Sequence, residues 1–242
     1  MRGHGRSISA GIGDEQDIIL SADISADHRH VAIGTPSRMV KIYSTDDGKL
    51  QHRIKKHTDW VSVVRFSPDG SLLATGDRNG GIHVWETESG GIVYTLNEHK
   101  MKVTSLSWRS DGNLLASGAE DGKFVLWDMK DGWATRTSTV HAEKSETRYT
   151  RRTGILDLGF TRDGRFLTAG RDQSVKLWQT DGTLISEYKG LDSLPTRAAF
   201  SHDGSQLFTG DLDGNLWNWN ALNLQPIGKI IVTKEKDDKL AK

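Results

Sequence analysis

Residues 99–128 read HKMKVTSLSWRSDGNLLASGAEDGKFVLWD. Three short apolar runs in it are separated by two turns that contain Asp-Gly. The runs are at 103–108, 114–118 and 124–127, and the turns are at 110–112 and 120–122. Apolar runs of this length between Asp-Gly turns are typical of consecutive antiparallel strands. The stretch therefore predicts three neighbouring strands of one sheet.

The same unit recurs along the chain, and each copy closes on an aromatic residue. The closing aromatics are Tyr43, Trp85, Trp127, Trp178 and Trp219. They lie 42, 42, 51 and 41 residues apart, and a period near 40 is typical of a four-stranded propeller blade. A fourth strand is predicted after each aromatic, at 49–54, 92–96, 134–139, 184–188 and 227–232. We therefore predict an all-β propeller of five four-stranded antiparallel blades.

The ends of the repeat raise the question of closure. Residues 1–14 are predicted to hold the remnant outer strand of a missing preceding blade, residues 15–233 the propeller, and residues 234–242 a disordered charged tail. Five blades could close into a ring, or they could form an open part of a larger, seven-bladed type. An open arc would expose sheet faces at both ends. We then expect self-association.

Composition narrows the classes of partner. Of the 242 residues, 32 are Lys or Arg and 32 are Asp or Glu, so the formal net charge is zero. This balance favours neither nucleic acid nor a membrane surface as a partner. The chain has no cysteine and no apolar run long enough to cross a bilayer. The N-terminus lacks the apolar core of a signal peptide, which predicts a cytoplasmic chain as written.

Three positions before the closing aromatic recur in the units, and the insertion in the fourth unit shifts the histidine there. A histidine opens the unit, a serine or threonine stands ten residues before the aromatic, and an aspartate stands six before it. A unit that opens with His and closes with Trp-Asp resembles a WD40 repeat, and the resemblance covers about residues 15–232. It implies that these side chains form a buried hydrogen-bonded network within each blade.

The network residues carried over to this sequence are His57, Thr75 and Trp85; His99, Ser117, Asp121 and Trp127; His141, Thr168, Asp172 and Trp178; and Thr209, Asp213 and Trp219. In the second unit Asn79 replaces the aspartate. The fifth unit lacks the histidine, and the first lacks nearly the whole set. Ser, His and Asp together resemble a hydrolase triad. Because the trio recurs from blade to blade, we interpret it as structural.

Two enzymatic or metal-binding alternatives remain open. Four aspartates fall in or near the innermost strands and could face a central channel, where glycosidases use paired carboxylates. They are Asp23, Asp59, Asp157 and Asp192. Solvated carboxylates are the simpler interpretation, since the four share no alignment position. The pair His28 and His30 has an H-x-H spacing but no third ligand, so we predict neither a metal nor a cofactor.

The rim of the propeller is the predicted site. Trp60 stands at the start of an inner strand, and in the WD40 family the rim beside it is the usual docking surface. Residues just before the turn aspartate share this rim. They include Arg78, Glu120 and Arg171, and an insertion at 143–153 adds Arg148, Tyr149, Arg151 and Arg152. We predict a non-catalytic scaffold that binds a protein or peptide. The alternatives are a glycosidase-like enzyme and a purely architectural module.

Three runs of the chain resemble one WD40 group in more detail. They are GDEQDIILSADIS at 13–25, KKHTDWVSVVRFSPDGSLLATGDRNGGIHVWE at 55–86 and AFSHDGSQLFTGDLDGN at 199–215. They are similar to the WD40 portions of planctomycete-type multidomain bacterial proteins that also carry cytochrome-c-like domains. The resemblance implies a module of an exported parent protein. This chain itself has no C-x-x-C-H motif.

Overall fold

A computed structural model describes residues 17–141, 154–189, 191–201, 203–223 and 225–231. Within these residues the backbone forms five antiparallel four-stranded sheets, which confirms the all-β prediction. We call the sheets blades 1 to 5. The described residues contain no helix that could span a membrane. The remnant strand, the charged tail and the insertion residues Arg148, Tyr149, Arg151 and Arg152 lie outside the described residues.

The strands follow the chain order in every blade. Blade 1 contains β1 (Ser21–Ile24), β2 (His30–Gly34), β3 (Val40–Ser44) and β4 (Leu50–Ile54). Blade 2 contains β5 (Val61–Phe66), β6 (Leu72–Asp77), β7 (Ile82–Glu86) and β8 (Ile92–Leu96). Blade 3 contains β9 (Val103–Trp108), β10 (Leu114–Ala119), β11 (Lys123–Asp128) and β12 (Ala134–Thr139). Blade 4 contains β13 (Ile155–Phe160), β14 (Phe166–Gly170), β15 (Ser174–Trp178) and β16 (Leu184–Lys189). Blade 5 contains β17 (Pro195–Phe200), β18 (Gln206–Asp211), β19 (Asn215–Asn220) and β20 (Pro226–Ile231).

The turn between the first two strands explains the recurring Asp-Gly pair. In blade 2, Asp69 accepts hydrogen bonds from the hydroxyl of Ser67 at 2.6 Å and from the backbone N–H of Ser71 at 3.1 Å. Gly70 follows with a φ of 75°, which costs glycine little. In blade 1 the same place is taken by His28, with a φ of 61°. His28 is thus a turn residue, and the described residues contain no cluster suited to a metal ion.

The core lies between neighbouring blades. Between blades 2 and 3, for example, the buried side chains of Ile82 and Val84 pack against Val103, Leu106 and Trp127. Similar clusters join blades 1 and 2, blades 3 and 4, and blades 4 and 5. A single repeat unit cannot bury its hydrophobic faces alone, and stacking of neighbouring units buries a continuous core. Each blade is therefore stabilised by the next one.

The row of blades does not close on itself. Inner strands pack in succession from β1 to β17, but within the described residues no contact of comparable extent returns from β17 to β1. The last face shows the consequence: Phe208, Leu216 and Asn218 of blade 5 are partly exposed, although the equivalent residues of blades 1 to 4 are buried. At the other end, Ile19 and Ile24 are about half exposed. The open form of the predicted propeller agrees with these observations.

Candidate docking surface

The repeated histidine, hydroxyl and tryptophan meet inside each complete blade. In blade 3, Nε2 of His99 lies 2.8 Å from the hydroxyl of Ser117, and Nε1 of Trp127 donates to the same oxygen at 2.9 Å. Nδ1 of His99 lies 3.2 Å from Asp121. Since a carboxylate can only accept, Nδ1 carries the proton and Nε2 accepts from Ser117. All polar groups of the network are thereby satisfied.

Blade 4 repeats this arrangement around His141. Its Nε2 lies 2.8 Å from Thr168 and its Nδ1 lies 2.7 Å from Asp172, while Trp178 donates to Thr168 at 3.0 Å. Burial raises the pKa of Asp172, but hydrogen bonds from His141 and Ser174 outweigh burial and hold the pKa at about 2. Thr168 and Ser117 are both fully buried. Their hydroxyls are therefore structural acceptors and donors rather than accessible nucleophiles.

The network carboxylate is not at the expected position in blades 2 and 5, where the expected positions hold Asn79 and Asp213. In blade 2, Nδ1 of His57 lies 3.0 Å from Asp77, two residues before the expected position, and Nε2 lies 2.7 Å from Thr75. In blade 5 the buried carboxylate is Asp211, which accepts from Asn215 at 3.0 Å and from Trp217 at 3.1 Å. Asp213 is exposed. The two remaining tryptophans behave as expected, with Trp85 donating to Thr75 at 2.8 Å and Trp219 to Thr209 at 2.9 Å.

The residue at the end of the second strand decides which aspartate enters the network. Blades 2 and 5 end this strand with Asp77 and Asp211, and both side chains are buried. Blades 3 and 4 have Ala119 and Gly170 there. A Cβ on Gly170 would lie only 2.0 Å from Nδ1 of His141. A small residue therefore leaves room for the later aspartate to reach the histidine.

The predicted rim lies at the end of the blades where the inner strands begin and the second strands end. The residue that follows the second strand of a blade donates its backbone N–H to the carbonyl of the residue just before the inner strand of the same blade. Arg78 donates to Trp60 at 3.0 Å, Glu120 to Lys102 at 2.9 Å, and Arg171 to Gly154 at 2.9 Å. These backbone bonds fix side chains from two loops of each blade beside one another. We call Trp60, Arg78, Lys102, Glu120 and Arg171 the rim.

A pocket of about 450 Å³ opens within the rim. Trp60 is 46% exposed, and Cζ of Arg78 lies 5.1 Å from the centre of its ring. Glu120 lies 3.7 Å from the guanidinium of Arg171. The residues that line the pocket are Leu20, Trp60, Ser62, Arg78, Lys102 and Glu120. Three of the predicted rim residues, Trp60, Arg78 and Glu120, therefore share one pocket, and Arg171 is joined to it through Glu120.

The sequence did not single out Leu20, Ser62 or Lys102 as site residues. Lys102 stands one repeat after Trp60, so its position was readable from the alignment. Leu20 and Ser62 precede or lie in inner strands of blades 1 and 2. Both residues line the pocket because blades 1 and 2 pack against each other. The sequence of a single repeat does not predict this packing.

The four candidate aspartates of the channel have four separate sets of partners. Asp23 accepts the backbone N–H of Phe66 at 2.8 Å. Asp157 accepts the backbone N–H of Ala198 at 3.0 Å, and burial raises its pKa. Both carboxylates therefore link neighbouring inner strands. Asp59 accepts the backbone N–H of Trp60 at 2.7 Å, and Asp192 accepts a hydrogen bond from Nζ of Lys229 at 2.7 Å.

These features define a β-propeller made of sequence repeats. The chain belongs to the WD40 family, because the family model described as "WD domain, G-beta repeat" matches residues 48–86, 90–128, 144–179 and 182–220, more than half of the chain. The first matched segment contains β4 and then β5 to β7. A sequence repeat therefore begins in the outer strand of one blade and ends in the third strand of the next.

Solved structures share the fold at low sequence identity. The WD40 repeats of RRP9 match 91% of this chain and 65% of that chain, with a TM-score of 0.80 and 21% identity. A chain of the mitotic checkpoint complex matches 92% of this chain and 67% of that one, with a TM-score of 0.81 and 22% identity. The structure of U3-55K matches 91% of this chain and 66% of that chain, with a TM-score of 0.79 and 21% identity. This chain thus spans about two thirds of their length. No curated protein matches its sequence.

Proposed function

We propose that this protein is a non-catalytic docking platform that binds a protein or peptide at the rim. The observation that supports this function is the half-exposed Trp60, which forms a wall of the pocket and carries Arg78 on its ring. Tryptophan and arginine are the residue types most often responsible for binding energy at protein interfaces. A pocket beside them offers the place where a partner side chain can be desolvated.

The rim is also held in place before any partner binds. The backbone bond from Arg78 to Trp60 joins two loops, and the inner strand that follows Trp60 begins with the fully buried Val61. A preformed site loses less conformational entropy on binding than a flexible one. The geometry therefore supports recognition by a rigid surface with a small number of strong contacts.

The enzymatic alternative receives less support from the same region. Asp23 and Asp157 each accept a backbone N–H from the next inner strand, so that they act as links between blades. A general acid and its partner carboxylate need free oxygens directed at a common substrate. The architectural alternative explains the stacked blades but gives no role to an exposed tryptophan in a pocket. A multidomain parent protein with cytochrome-c-like domains stays a prediction from sequence resemblance.

A peptide-display selection tests the docking function. Random peptides are selected on the immobilised wild-type protein, and the affinity of each enriched peptide is then measured for wild type, Trp60→Ala and Trp133→Ala. Trp133 is the matched control because it is 73% exposed and lies beyond β11, at the opposite end of the strands. We expect at least a tenfold loss of affinity in Trp60→Ala and little change in Trp133→Ala. Failure to enrich any peptide, or equal binding by Trp60→Ala, would contradict the proposal.

A further inference from the structure

The charges of the rim pocket are unbalanced, and this imbalance limits what it can bind. Arg78 and Lys102 place two positive charges on its wall, whereas Glu120 supplies one carboxylate. That carboxylate lies 3.7 Å from Arg171. Among the described residues, no carboxylate lies within 4.0 Å of the charged nitrogens of Arg78 or Lys102, which is the distance limit for an ion pair. Within the part of the chain that the structure describes, the pocket therefore presents two cations that no carboxylate pairs with.

One more acidic residue, Asp59, lies beside the pocket. Its Oδ1 accepts the backbone N–H of Trp60 at 2.7 Å. That contact fixes the start of the inner strand, and Asp59 forms no ion pair with Arg78 among the described residues. Asp59 thus reduces the net positive charge of the rim but does not occupy its donors.

The ring face of Trp60 already contacts a cation, the guanidinium of Arg78. The guanidinium of Arg78 lies 5.1 Å from the ring centre of Trp60, a distance at which cation–π attraction operates. A positively charged ligand would have to displace Arg78 from the ring and would meet Lys102 nearby. An anionic ligand would instead meet a guanidinium that is held in place and that bonds to no carboxylate among the residues described, which is the geometry that suits a carboxylate.

An apolar surface adjoins the two cations. Leu20 is 38% exposed and Trp60 is 46% exposed, and both line the same pocket. A small inorganic anion would leave this surface in water. A peptide could cover it with an apolar side chain while it places a carboxylate near Arg78 and Lys102. The combination of charge and apolar surface therefore favours a peptide over a free anion.

We infer that the rim pocket recognises an acidic peptide segment, in which an Asp or Glu pairs with Arg78 and Lys102 and a neighbouring apolar residue covers Trp60 and Leu20. This inference rests on the proposed docking function and specifies the chemistry of its ligand. Lys102 is a binding residue in this account, although the sequence did not single it out.

The test compares peptide selections on three proteins. Random peptides are selected on wild type, on the double variant Arg78→Gln/Lys102→Gln and on the control Arg162→Gln/Lys130→Gln, which removes the same charges from exposed turns at the opposite end of the strands. We expect wild type and control to enrich peptides with Asp or Glu beside an apolar residue. The double variant should lose this preference.

Binding constants of one enriched peptide then separate the possible results. Its Glu→Gln form should bind wild type about tenfold more weakly, and inorganic phosphate should compete poorly. If the two peptide forms bind equally while Trp60→Ala still weakens both, the acidic specificity is overturned and the docking function stands. If Trp60→Ala has no effect, the docking function itself fails. If phosphate competes as well as the peptide, the pocket is a general anion site and the peptide inference is overturned.

Discussion

The hydrogen-bonded network of blade 3 and the rim each contain a tryptophan beside polar side chains, but the two groups have opposite surroundings. His99, Ser117 and Trp127 are buried and bond to one another. Trp60 and Arg78 are exposed, and the side-chain N–H groups of Arg78 have no acceptor among the described residues. A polar group that is satisfied inside the protein contributes stability. A polar group that has no partner at a preformed surface is available to a ligand. The presence or absence of an internal hydrogen-bond partner therefore separates the structural residues from the candidate site.

The largest expected effect on stability comes from breaking the network. Ser117→Ala leaves Nε2 of His99 and the indole N–H of Trp127 buried without a partner. Each unpaired group costs roughly 1–3 kcal/mol, so we expect the free energy of unfolding to fall by about 3 kcal/mol, a sum over the two groups. Urea titration followed by circular dichroism measures this change. Ser110→Ala, an exposed turn serine, serves as the control.

One result of the urea titration would contradict the structural role of the network. If Ser117→Ala unfolds at the same urea concentration as wild type, the network is not a stabilising element. Peptide binding at the rim should be unchanged in Ser117→Ala under conditions where the variant is folded. A selective loss of binding would mean that the two regions are not independent.

A second, somewhat smaller effect concerns pH. His83 is buried beside His57, with 4.7 Å between the ring centres. Burial, together with the charge of His57, lowers the pKa of His83 to about 4. Between pH 6.5 and 4 the unfolded chain therefore binds a proton at this position and the folded protein does not. Stability contributed by the neutral ring is complete above pH 6.5 and falls with decreasing pH, by about 2 kcal/mol at pH 5.

His83→Val is the matched variant, because blade 3 has Val125 at the equivalent position. Unfolding curves of wild type and variant at pH 7.5 and pH 5 give the comparison. We expect the variant to lose about 2 kcal/mol less than wild type between the two pH values. Equal losses would show that His83 does not sense pH. His141, whose pKa is also lowered mainly by burial, remains in both proteins and cancels in the difference.

The repeat and its closing aromatics were predictable because each blade obeys the same local rules. The offset of the hydroxyl residues was right for Thr75, Ser117 and Thr168, since they lie in regular strands. The prediction of Asp213 as a network residue was wrong, because a fixed offset ignores the residue at the strand end, where Asp211 is the buried carboxylate. The pocket was only partly predictable, since Leu20 and Ser62 are brought to it by packing between blades.

The open end of the propeller offers a test that should leave the stability of the monomer nearly unchanged. Leu216 on the last face of blade 5 is partly exposed where blades 1 to 4 bury an apolar residue. We expect the wild-type protein to associate with itself, as seen by light scattering after size exclusion. Leu216→Glu should shift it toward monomer, while Ile92→Glu on an outer strand should not. A wild-type protein that stays monomeric at every concentration would contradict this prediction.

The largest expected effect on binding belongs to Trp60→Ala, whose expected effect on stability is smaller than that of Ser117→Ala. Trp60 is half exposed, so Trp60→Ala removes an exposed cation–π contact, which contributes about 0.5–1 kcal/mol to the free energy of unfolding, together with the burial of part of the ring. The most direct measurement is therefore the affinity of one selected peptide for Trp60→Ala and for Trp133→Ala, together with the unfolding free energy of both. The account predicts at least a tenfold loss of affinity only in Trp60→Ala, with both variants fully folded. Equal affinity in wild type, Trp60→Ala and Trp133→Ala would contradict it.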